Sequence, residues 1–258
     1  MKCALLRSAS LLALGVVLAA GELRAAVPLY DARVDYPTDS SAQWVAAADL
    51  DGDGKPDLAV SCFTDSKVFV LLNTGDGSFT PGVPCNVGLM PRCVVAADFN
   101  GDGRMDLATA NDSGSNVSVL LNTGGAAFAT AVNYPVGTNP RHLFAADLNG
   151  DGKIDLAVAN FTSNNVSILP GNGDGTFAPA VNYPTGSGPR YVFAADLDGD
   201  GDMDLAITDF NSDNVAILMN NGDGTFASAI YYPVGTSPRP IFATDLDGDG
   251  YIDLAVGD

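Results

Sequence analysis

The stretch Asp196-Leu-Asp-Gly-Asp-Gly-Asp-Met-Asp204 occurs five times in this 258-residue chain, with small changes. The five copies begin, each 49 residues after the previous one, at Asp49, Asp98, Asp147, Asp196 and Asp245. Repetition at a fixed period of this length is typical of repeat architectures, in which one unit sets the fold. The unit therefore decides the fold of the whole chain.

One unit, residues 190–235, alternates short apolar segments with Gly- and Asn-rich turns. Residues 191–195, 205–208, 215–218 and 226–232 have the composition of strands, and no segment has the period of an amphipathic helix. Four short antiparallel strands in about 40–50 residues predict the blade of a β-propeller. An aromatic residue recurs at the start of the fourth strand and predicts packing between blades. These residues are Tyr30, Phe79, Phe128, Phe177 and Phe226.

The predicted fold class is all-β: a β-propeller of four-stranded antiparallel blades, with four complete blades and an incomplete fifth. Residues 28–37 align with the fourth strand of a unit, and the C-terminal residues contain only the first two strands of the fifth unit. Two alternatives follow. The N- and C-terminal strands meet and close a five-bladed ring, or the chain is a fragment of a longer propeller with an open edge.

The N-terminal segment is typical of a secretory signal peptide. Lys2 and Arg7 precede an apolar run at residues 11–20, and the small residues at 19 and 21 predict a cleavage site. The run is too short to span a bilayer. We predict a signal peptide at 1–21, a short linker at 22–27 and a repeat propeller at 28–258, in a protein that is secreted, periplasmic or on the cell surface and has no membrane span.

Three cysteines follow the predicted signal peptide, namely Cys62, Cys85 and Cys93. An odd number in an exported protein is compatible with one disulfide and one free thiol. The short separation favours a pair between Cys85 and Cys93, and three free thiols are the alternative.

The charge of the chain is concentrated in the repeated loops. There are 31 acidic against 12 basic residues, a net charge of −19, and 19 of the aspartates lie in the five loops. A surface of this sign excludes nucleic acid as a partner, because phosphate backbones attract basic surfaces. The clustering of acids instead predicts bound cations.

Each loop places oxygen ligands on alternate residues: side chains at loop positions 1, 3, 5 and 9, and a carbonyl at position 7. Hard oxygen ligands in this number suit Ca²⁺, which takes about 6–8 donors, whereas zinc would need Cys or His. An EF-hand is excluded because strand residues occupy position 12 and flanking helices are absent. We predict up to five Ca²⁺ sites, formed by Asp49, Asp51, Asp53, Lys55, Asp57; Asp98, Asn100, Asp102, Arg104, Asp106; Asp147, Asn149, Asp151, Lys153, Asp155; Asp196, Asp198, Asp200, Asp202, Asp204; and Asp245, Asp247, Asp249, Tyr251, Asp253.

The pattern Asp-x-(Asp/Asn)-Gly-Asp-Gly-x-x-Asp-Leu-Ala resembles the FG-GAP/VCBS repeat family, whose best-known members are the calcium-bearing blades of the integrin α-subunit propeller. The resemblance covers residues from about 28 to 258 and matches in all five loops, although the literal Phe-Gly and Gly-Ala-Pro pieces are missing. It implies cations that brace the hairpin between the first and second strands, extracellular adhesion or carbohydrate contact, and no intrinsic enzyme activity.

A second repeated feature lies where each first strand begins, at the channel end opposite the Asp loops. An arginine follows a proline there in four units, as Arg92, Arg141, Arg190 and Arg239, and Gln43 replaces it in the first. Two interpretations are open. The guanidinium groups form a ring that binds carboxylate or sulfate groups, or each caps carbonyls or pairs with an aspartate of the next blade.

The residue that follows each arginine, or Gln43 in the first unit, differs strongly from unit to unit. Such variation is expected either of a recognition surface or of a solvent-tolerant position. These residues are Trp44, Cys93, His142, Tyr191 and Pro240. His142 is the only histidine, and no nucleophile constellation supports a catalytic triad.

We predict a secreted calcium-binding β-propeller that acts as a non-catalytic adhesion or ligand-binding module, with an extracellular protein or carbohydrate as its partner. One alternative is the propeller domain of a secreted polysaccharide-degrading enzyme such as a lyase. The other is a structural repeat arm of a larger secreted protein.

Overall fold

The computed structural model describes residues 3–5, 34–38 and 41–258. Every regular element in these residues is a strand, as predicted. The predicted linker, Tyr30 and most of the predicted signal peptide lie outside the described residues. No helix within the described ranges has the length and apolar composition needed to cross a bilayer.

Four sheets of four antiparallel strands form the four complete blades. Blade 1 contains β3 (Ala42–Ala48), β4 (Asp57–Cys62), β5 (Lys67–Leu71) and β6 (Val83–Asn86). Blade 2 contains β7 (Pro91–Ala97), β8 (Asp106–Asn111), β9 (Asn116–Leu120) and β12 (Val132–Pro135), with a small hairpin of β10 (Asn122–Gly124) and β11 (Ala127–Phe128). Blade 3 contains β13 (Pro140–Ala146), β14 (Asp155–Asn160), β15 (Asn165–Leu169) and β16 (Val181–Pro184). Blade 4 contains β17 (Pro189–Ala195), β18 (Asp204–Asp209), β19 (Asn214–Leu218) and β20 (Ile230–Pro233).

The first strands of successive blades gather around one axis. β3 contacts β7, β7 contacts β13, and β13 contacts β17. These strands end in small alanine residues, which allow the backbones to converge. The second strands of the four blades are buried over their whole length. The core therefore lies between blades rather than within one of them.

Four of the five core clusters join two neighbouring blades through β-branched and leucine side chains, and the other joins blade 1 to residues 34–36. Val166 and Ile168 of blade 3 pack with Val192 and Ile207 of blade 4. A fully buried side chain of this kind contributes about 1.5–3 kcal/mol. A single blade cannot bury both of its faces, so stability depends on stacking the blades in register.

The aromatic ladder packs between blades, as predicted. Tyr134 of blade 2 meets Phe177 of blade 3 edge to face at 5.5 Å, and Tyr183 of blade 3 meets Phe226 of blade 4 at 5.4 Å. These geometries are the ones that aromatic quadrupoles favour. The fourth strands themselves begin later than predicted, because Phe177 and Phe226 form only isolated bridges after the Gly-rich turn and the strands begin at Val181 and Ile230.

The fifth blade contains only two paired strands, β21 (Ile241–Thr244) and β22 (Asp253–Val256). The N-terminal strands β1 (Cys3–Leu5) and β2 (Val34–Tyr36) form a separate antiparallel pair. Tyr36 meets Phe79 of blade 1 edge to face at 5.5 Å, which is the same contact that Tyr134 makes with Phe177. Residues 34–36 therefore have the same position relative to blade 1 that the fourth strand of one blade has relative to the next blade.

Cys62, Cys85 and Cys93 are free thiols. A disulfide between Cys85 and Cys93 does not form because Cys85 lies on the outer strand of blade 1 and Cys93 on the innermost strand of blade 2. Burial raises the pKa of Cys93 to about 12, so its thiol is unreactive at neutral pH.

In blade 3, an asparagine at the end of the second strand makes side-chain hydrogen bonds across the hairpin to the third strand. Asn160 Nδ2 donates hydrogen bonds to Asn165 Oδ1 at 2.8 Å and to Ser167 Oγ at 2.7 Å. In blade 4 the equivalent residues are Asp209, Asn214 and Ala216. The buried Oδ1 atom of Asn214 has no hydrogen-bond partner, since the carboxylate of Asp209 has no N–H to donate.

Burial raises the pKa of Asp209 from 3.8 to about 7, and the hydrogen bond from the Gly186 N–H opposes this rise. The neutral acid can donate to Asn214 in place of the missing amide. Because the folded pKa is raised, the native state holds this proton more tightly than the unfolded chain does. Stability is therefore lost as the pH rises from about 4 to about 7.

We expect Asp209→Asn to raise the melting temperature by several degrees at pH 8. The new amide would donate to the buried Asn214 Oδ1, which should add about 1–3 kcal/mol to the free energy of unfolding. At pH 4 the two proteins should melt alike. Thermal unfolding across this range, at a constant concentration of divalent cations, measures the difference. Asn160→Asp is the matched control, and it should introduce the same pH-dependent loss in blade 3. Identical pH profiles for Asp209→Asn and the parent chain would contradict this account.

Candidate functional site

The five Asp loops connect the first and second strands of each blade, all at one end of the channel. Position 9 of each loop pairs in the ladder with the residue before position 1, as in Ala48 with Asp57 and Ala146 with Asp155. The stem of every loop is thus a strand pair. The backbone register holds both ends of the loop at a fixed separation.

The loop wraps around the carboxylate of position 1. In the first loop, Asp49 Oδ1 accepts hydrogen bonds from the N–H groups of Gly52 at 2.8 Å and Asp53 at 3.1 Å, and Oδ2 accepts from Gly54 at 2.8 Å. The two glycines have φ angles of 86° and 83°, in a region that residues with a Cβ atom rarely adopt. The same glycine N–H contacts recur at Asp98, Asp147, Asp196 and Asp245.

Position 9 joins the loop to the end of the third strand. Asp155 Oδ2 accepts a hydrogen bond from the Leu148 N–H at 3.0 Å, and Oδ1 accepts one from the Gly171 N–H at 2.7 Å. Asp57, Asp106 and Asp204 make the same two contacts in their blades. Burial raises the pKa of Asp155, while these two donors act in the opposite direction. The sequence interpretation assigned this residue only as a closing metal ligand and missed its structural role.

Two asparagines connect the loops of neighbouring blades. Asn122 Nδ2 in blade 2 donates to the carbonyl oxygen of Leu50 in the first loop at 2.8 Å. Asn220 Nδ2 in blade 4 donates to the carbonyl oxygen of Leu148 in the third loop at 2.7 Å. The sequence interpretation treated the neighbouring Gly-rich segments as turns only. The available signal was a recurrent Asn at 16 residues after position 9, in blades 1, 2 and 4.

The structure brings three carboxylates together in three of the loops. In each trio, one oxygen per residue lies within 4.8 Å of the others. The trios are Asp49, Asp51 and Asp53; Asp196, Asp198 and Asp204; and Asp245, Asp247 and Asp253. The second and third loops, which the structure describes in full, have Asn100 and Asn149 at position 3 and contain no such trio of carboxylates.

Position 7 distinguishes the loops by charge. Its N–H donates to the position 5 carboxylate, as Lys55 does to Asp53 at 3.0 Å and Tyr251 to Asp249 at 2.8 Å. In the first three loops its basic side chain also pairs with that carboxylate, in the pairs Lys55–Asp53, Arg104–Asp102 and Lys153–Asp151. Asp202 and Tyr251 replace the base in the fourth and fifth loops. The formal loop charges are therefore −3, −2, −2, −5 and −4 in chain order.

The repeated arginines lie at the other end of the first strands. Each guanidinium stacks over a phenylalanine: Arg92 over Phe63, Arg141 over Phe161, and Arg190 and Arg239 over Phe210, at 4.4–5.6 Å from the ring centres. Asp112 occupies the phenylalanine position in blade 2 and contacts both Arg92 and Arg141. Asp112 lies in the same blade as Arg92 and in the blade before that of Arg141, so neither pair is with an aspartate of the next blade, which one interpretation predicted.

Three rings from different blades meet on the axis beside these arginines. Trp44 of blade 1 contacts His142 of blade 3 at 5.0 Å and Tyr191 of blade 4 at 6.1 Å between ring centres, and His142 lies 4.9 Å from Tyr191. A cavity of about 60 Å³ remains at this channel mouth. It is lined by Gln43, Trp44, Arg92, Arg141, His142, Arg190 and Tyr191.

Comparison with known families gives one match. The profile described as FG-GAP-like repeat matches residues 49–109, 98–158, 147–207 and 196–256. These ranges overlap because each covers two consecutive Asp loops. A search of curated proteins finds no match.

Solved structures share the fold at low sequence identity. An Agrocybe aegerita lectin, solved for its recognition of non-reducing terminal N-acetylglucosamine, is 24% identical with a TM-score of 0.52, over 82% of this chain and 56% of the lectin. A catalytically inactive virginiamycin B lyase from Staphylococcus aureus is 14% identical with a TM-score of 0.57, over 87% and 67%. The V. cholerae biofilm matrix protein Bap1 is 20% identical with a TM-score of 0.52, over 84% and 35%. The chain thus spans little more than half of the lectin.

We expect Asp155→Asn to destabilise the protein by about 2–4 kcal/mol even in chelator, because the amide has only one oxygen for two buried N–H donors. Urea unfolding in EDTA measures this effect without a bound cation. The control is Asp151→Asn in the same loop, an exposed position, where the change should stay within about 0.5 kcal/mol. Equal losses from the two variants would show that position 9 has no special structural role.

Proposed function

The chain belongs to the FG-GAP-like repeat family, and from this premise we propose that it is an exported calcium-binding β-propeller that acts as a non-catalytic ligand-binding module. The observation that carries the proposal is the repeated loop, in which carboxylates converge on one point while the backbone fixes both ends. The partner would be an extracellular protein or carbohydrate. Export is proposed from the N-terminal basic and apolar segment.

The donor chemistry of the loops fits Ca²⁺. Each loop offers carboxylate and carbonyl oxygens, with an amide oxygen in the second and third, and no sulfur or imidazole; a hard cation of flexible geometry prefers this set. The residues at positions 1, 3, 5 and 9 would hold the ion with the carbonyl of position 7. A bound cation would offset the mutual repulsion of these carboxylates and brace the hairpin.

The loops are not equivalent, and their charges predict an order of affinity. Ligand charge tunes calcium affinity in oxygen sites. The fourth and fifth loops lack a basic residue at position 7, whereas Lys55, Arg104 and Lys153 pair with a ligand carboxylate in the first three. We therefore propose two tighter sites, in the fourth and fifth loops, and weaker sites in the others.

We expect calorimetric titration with Ca²⁺ to resolve these classes, and the melting temperature to rise with bound ion. Asp202→Lys should weaken one tight site by about three- to tenfold, since it adds a cation near the ligands without removing a ligand side chain. Lys153→Asp is the matched reverse variant and should tighten a weak site. Unfolding that is unchanged by EDTA, with no heat on titration, would refute the calcium proposal.

Ligand binding rather than catalysis is supported by the surroundings of His142. This histidine is buried between Trp44 and Tyr191, and burial lowers its pKa to about 4 against an opposing hydrogen bond to the Val192 backbone. A neutral, enclosed imidazole is poorly suited to proton transfer at neutral pH. The lectin and lyase relatives share only the fold with this chain, so their activities serve as alternatives to be tested.

We expect the calcium-loaded protein to bind a subset of glycans on an array and to release them in EDTA. The same glycans in solution should show no new unsaturated product absorbance. Absorbance growth would support the lyase alternative. Absence of binding to glycans and to extracellular matrix proteins, with calcium bound, would favour a structural repeat arm.

A further inference from the structure

The channel mouth has an excess of positive charge in an otherwise acidic protein. Arg92, Arg141 and Arg190 all line the cavity, and within the described residues only one carboxylate, Asp112, forms ion pairs with them. Burial lowers the pKa of Arg141, and repulsion from Arg92 adds to this effect. An anion in the cavity would relieve this repulsion.

The arginines are held in place from outside the cavity. Arg92 Nε pairs with Asp112, and Arg141 Nε donates to Asn139 Oδ1 at 3.0 Å. The guanidinium planes stack on phenylalanine rings, which fixes their orientation. These contacts leave terminal guanidinium nitrogens available for an oxyanion, with little ordering cost on binding.

A buried acceptor distinguishes this cavity from a simple anion site. His142 is 9% exposed and lines the cavity, and its Nδ1 has no hydrogen-bond partner within the protein. The imidazole hydrogen-bonds to the Val192 backbone, so a neutral ring uses its single N–H there and leaves Nδ1 as an acceptor. A ligand therefore satisfies the site only if it brings a donor beside its negative charge.

The volume limits what enters. A cavity of about 60 Å³ holds roughly four water molecules, at about 10–15 Å³ each on this measure. It admits a carboxylate and a neighbouring hydroxyl, while the remainder of the ligand lies outside. The half-exposed faces of Trp44 and Tyr191 at the rim suit the apolar face of a sugar ring.

The geometry points to a binding site for the carboxylate and adjacent hydroxyl of an acidic saccharide, at the channel mouth between Arg92, Arg141, Arg190 and His142. This assignment rests on the proposed ligand-binding function and specifies its ligand class. The arginines bind the carboxylate, and His142 Nδ1 accepts the hydroxyl hydrogen. The site lies at the opposite end of the first strands from the calcium loops, so it needs calcium only for the stability of the blades.

Calorimetric titration of the full chain with glucuronate, glucose, acetate and N-acetylglycine tests the assignment. Glucuronate should bind more tightly than acetate, and glucose should not bind. Arg190→Gln should weaken glucuronate by about tenfold or more. Arg239→Gln is the matched control, because Arg239 has the same place in its repeat and stacks on Phe210 without lining the cavity. It should leave the affinity unchanged.

His142→Phe tests the acceptor, since it keeps a ring between Trp44 and Tyr191. It should reduce glucuronate affinity to the level of acetate and leave acetate binding as it was. Arg190→Lys replaces Arg190→Gln if the latter fails to fold. It keeps the positive charge and loses the planar guanidinium group that donates two hydrogen bonds to a carboxylate. Equal binding of glucuronate and glucose would overturn the proposal, as would equal losses in the Arg190 and Arg239 variants. Tighter binding of N-acetylglycine would overturn it in favour of a peptide C-terminus.

The same titrations, carried out in calcium and in EDTA, distinguish the proposed acidic-saccharide site from the proposed function as a calcium-binding module. If calcium and neutral glycans bind while glucuronate binds no better than glucose, the acidic-saccharide site is refuted and the general function stands. If glucuronate binds as expected and no calcium binds, the site is supported and the calcium proposal fails.

Discussion

The buried carboxylate at position 9 of the first four loops is the contact on which the rest of the blade depends. Asp155 accepts two backbone N–H groups, from Leu148 in the loop and Gly171 after the third strand. It therefore joins three strands of a blade at one end. Desolvation of a carboxylate is costly, and the two donors offset that cost only in this geometry. A cation bound in the loop would add to an arrangement that the backbone already enforces.

The two proposed sites lie at opposite ends of the same strands. In blades 2 to 4 the first strand begins beside an arginine, and in every blade it ends at an Asp loop, so the propeller has a basic mouth and an acidic face. Aromatic rings from blades 1, 3 and 4 meet on the axis between the arginines. The acidic face is replicated in every blade and suits a structural cation. The basic mouth differs from blade to blade, as expected of a surface that contacts one asymmetric ligand.

Much of this architecture could be predicted from the period of the repeat. Strand order, the number of complete blades and the place of the loops follow from one unit of 49 residues, because each blade repeats the local contacts of the last. Contacts between units could not be predicted. The bond from Asn122 to Leu50 spans 72 residues, and the meeting of Trp44 with Tyr191 depends on how many blades surround the axis. The recurrent Asn marks the donor but not the carbonyl that it reaches, and the contact between the rings leaves no local signature in the chain.

Departures from the repeat are more informative than the repeat itself. Asp112 interrupts the phenylalanine ladder and forms ion pairs with Arg92 and Arg141, whereas Arg190 has no carboxylate among its described contacts. Asp209 interrupts the asparagine ladder, and the loss of its amide leaves the buried Asn214 Oδ1 without a donor. In an exact repeat, every blade would have the same contacts and no blade would be distinguished. The positions where one unit breaks the pattern are therefore where this propeller acquires a specific site and a specific weakness.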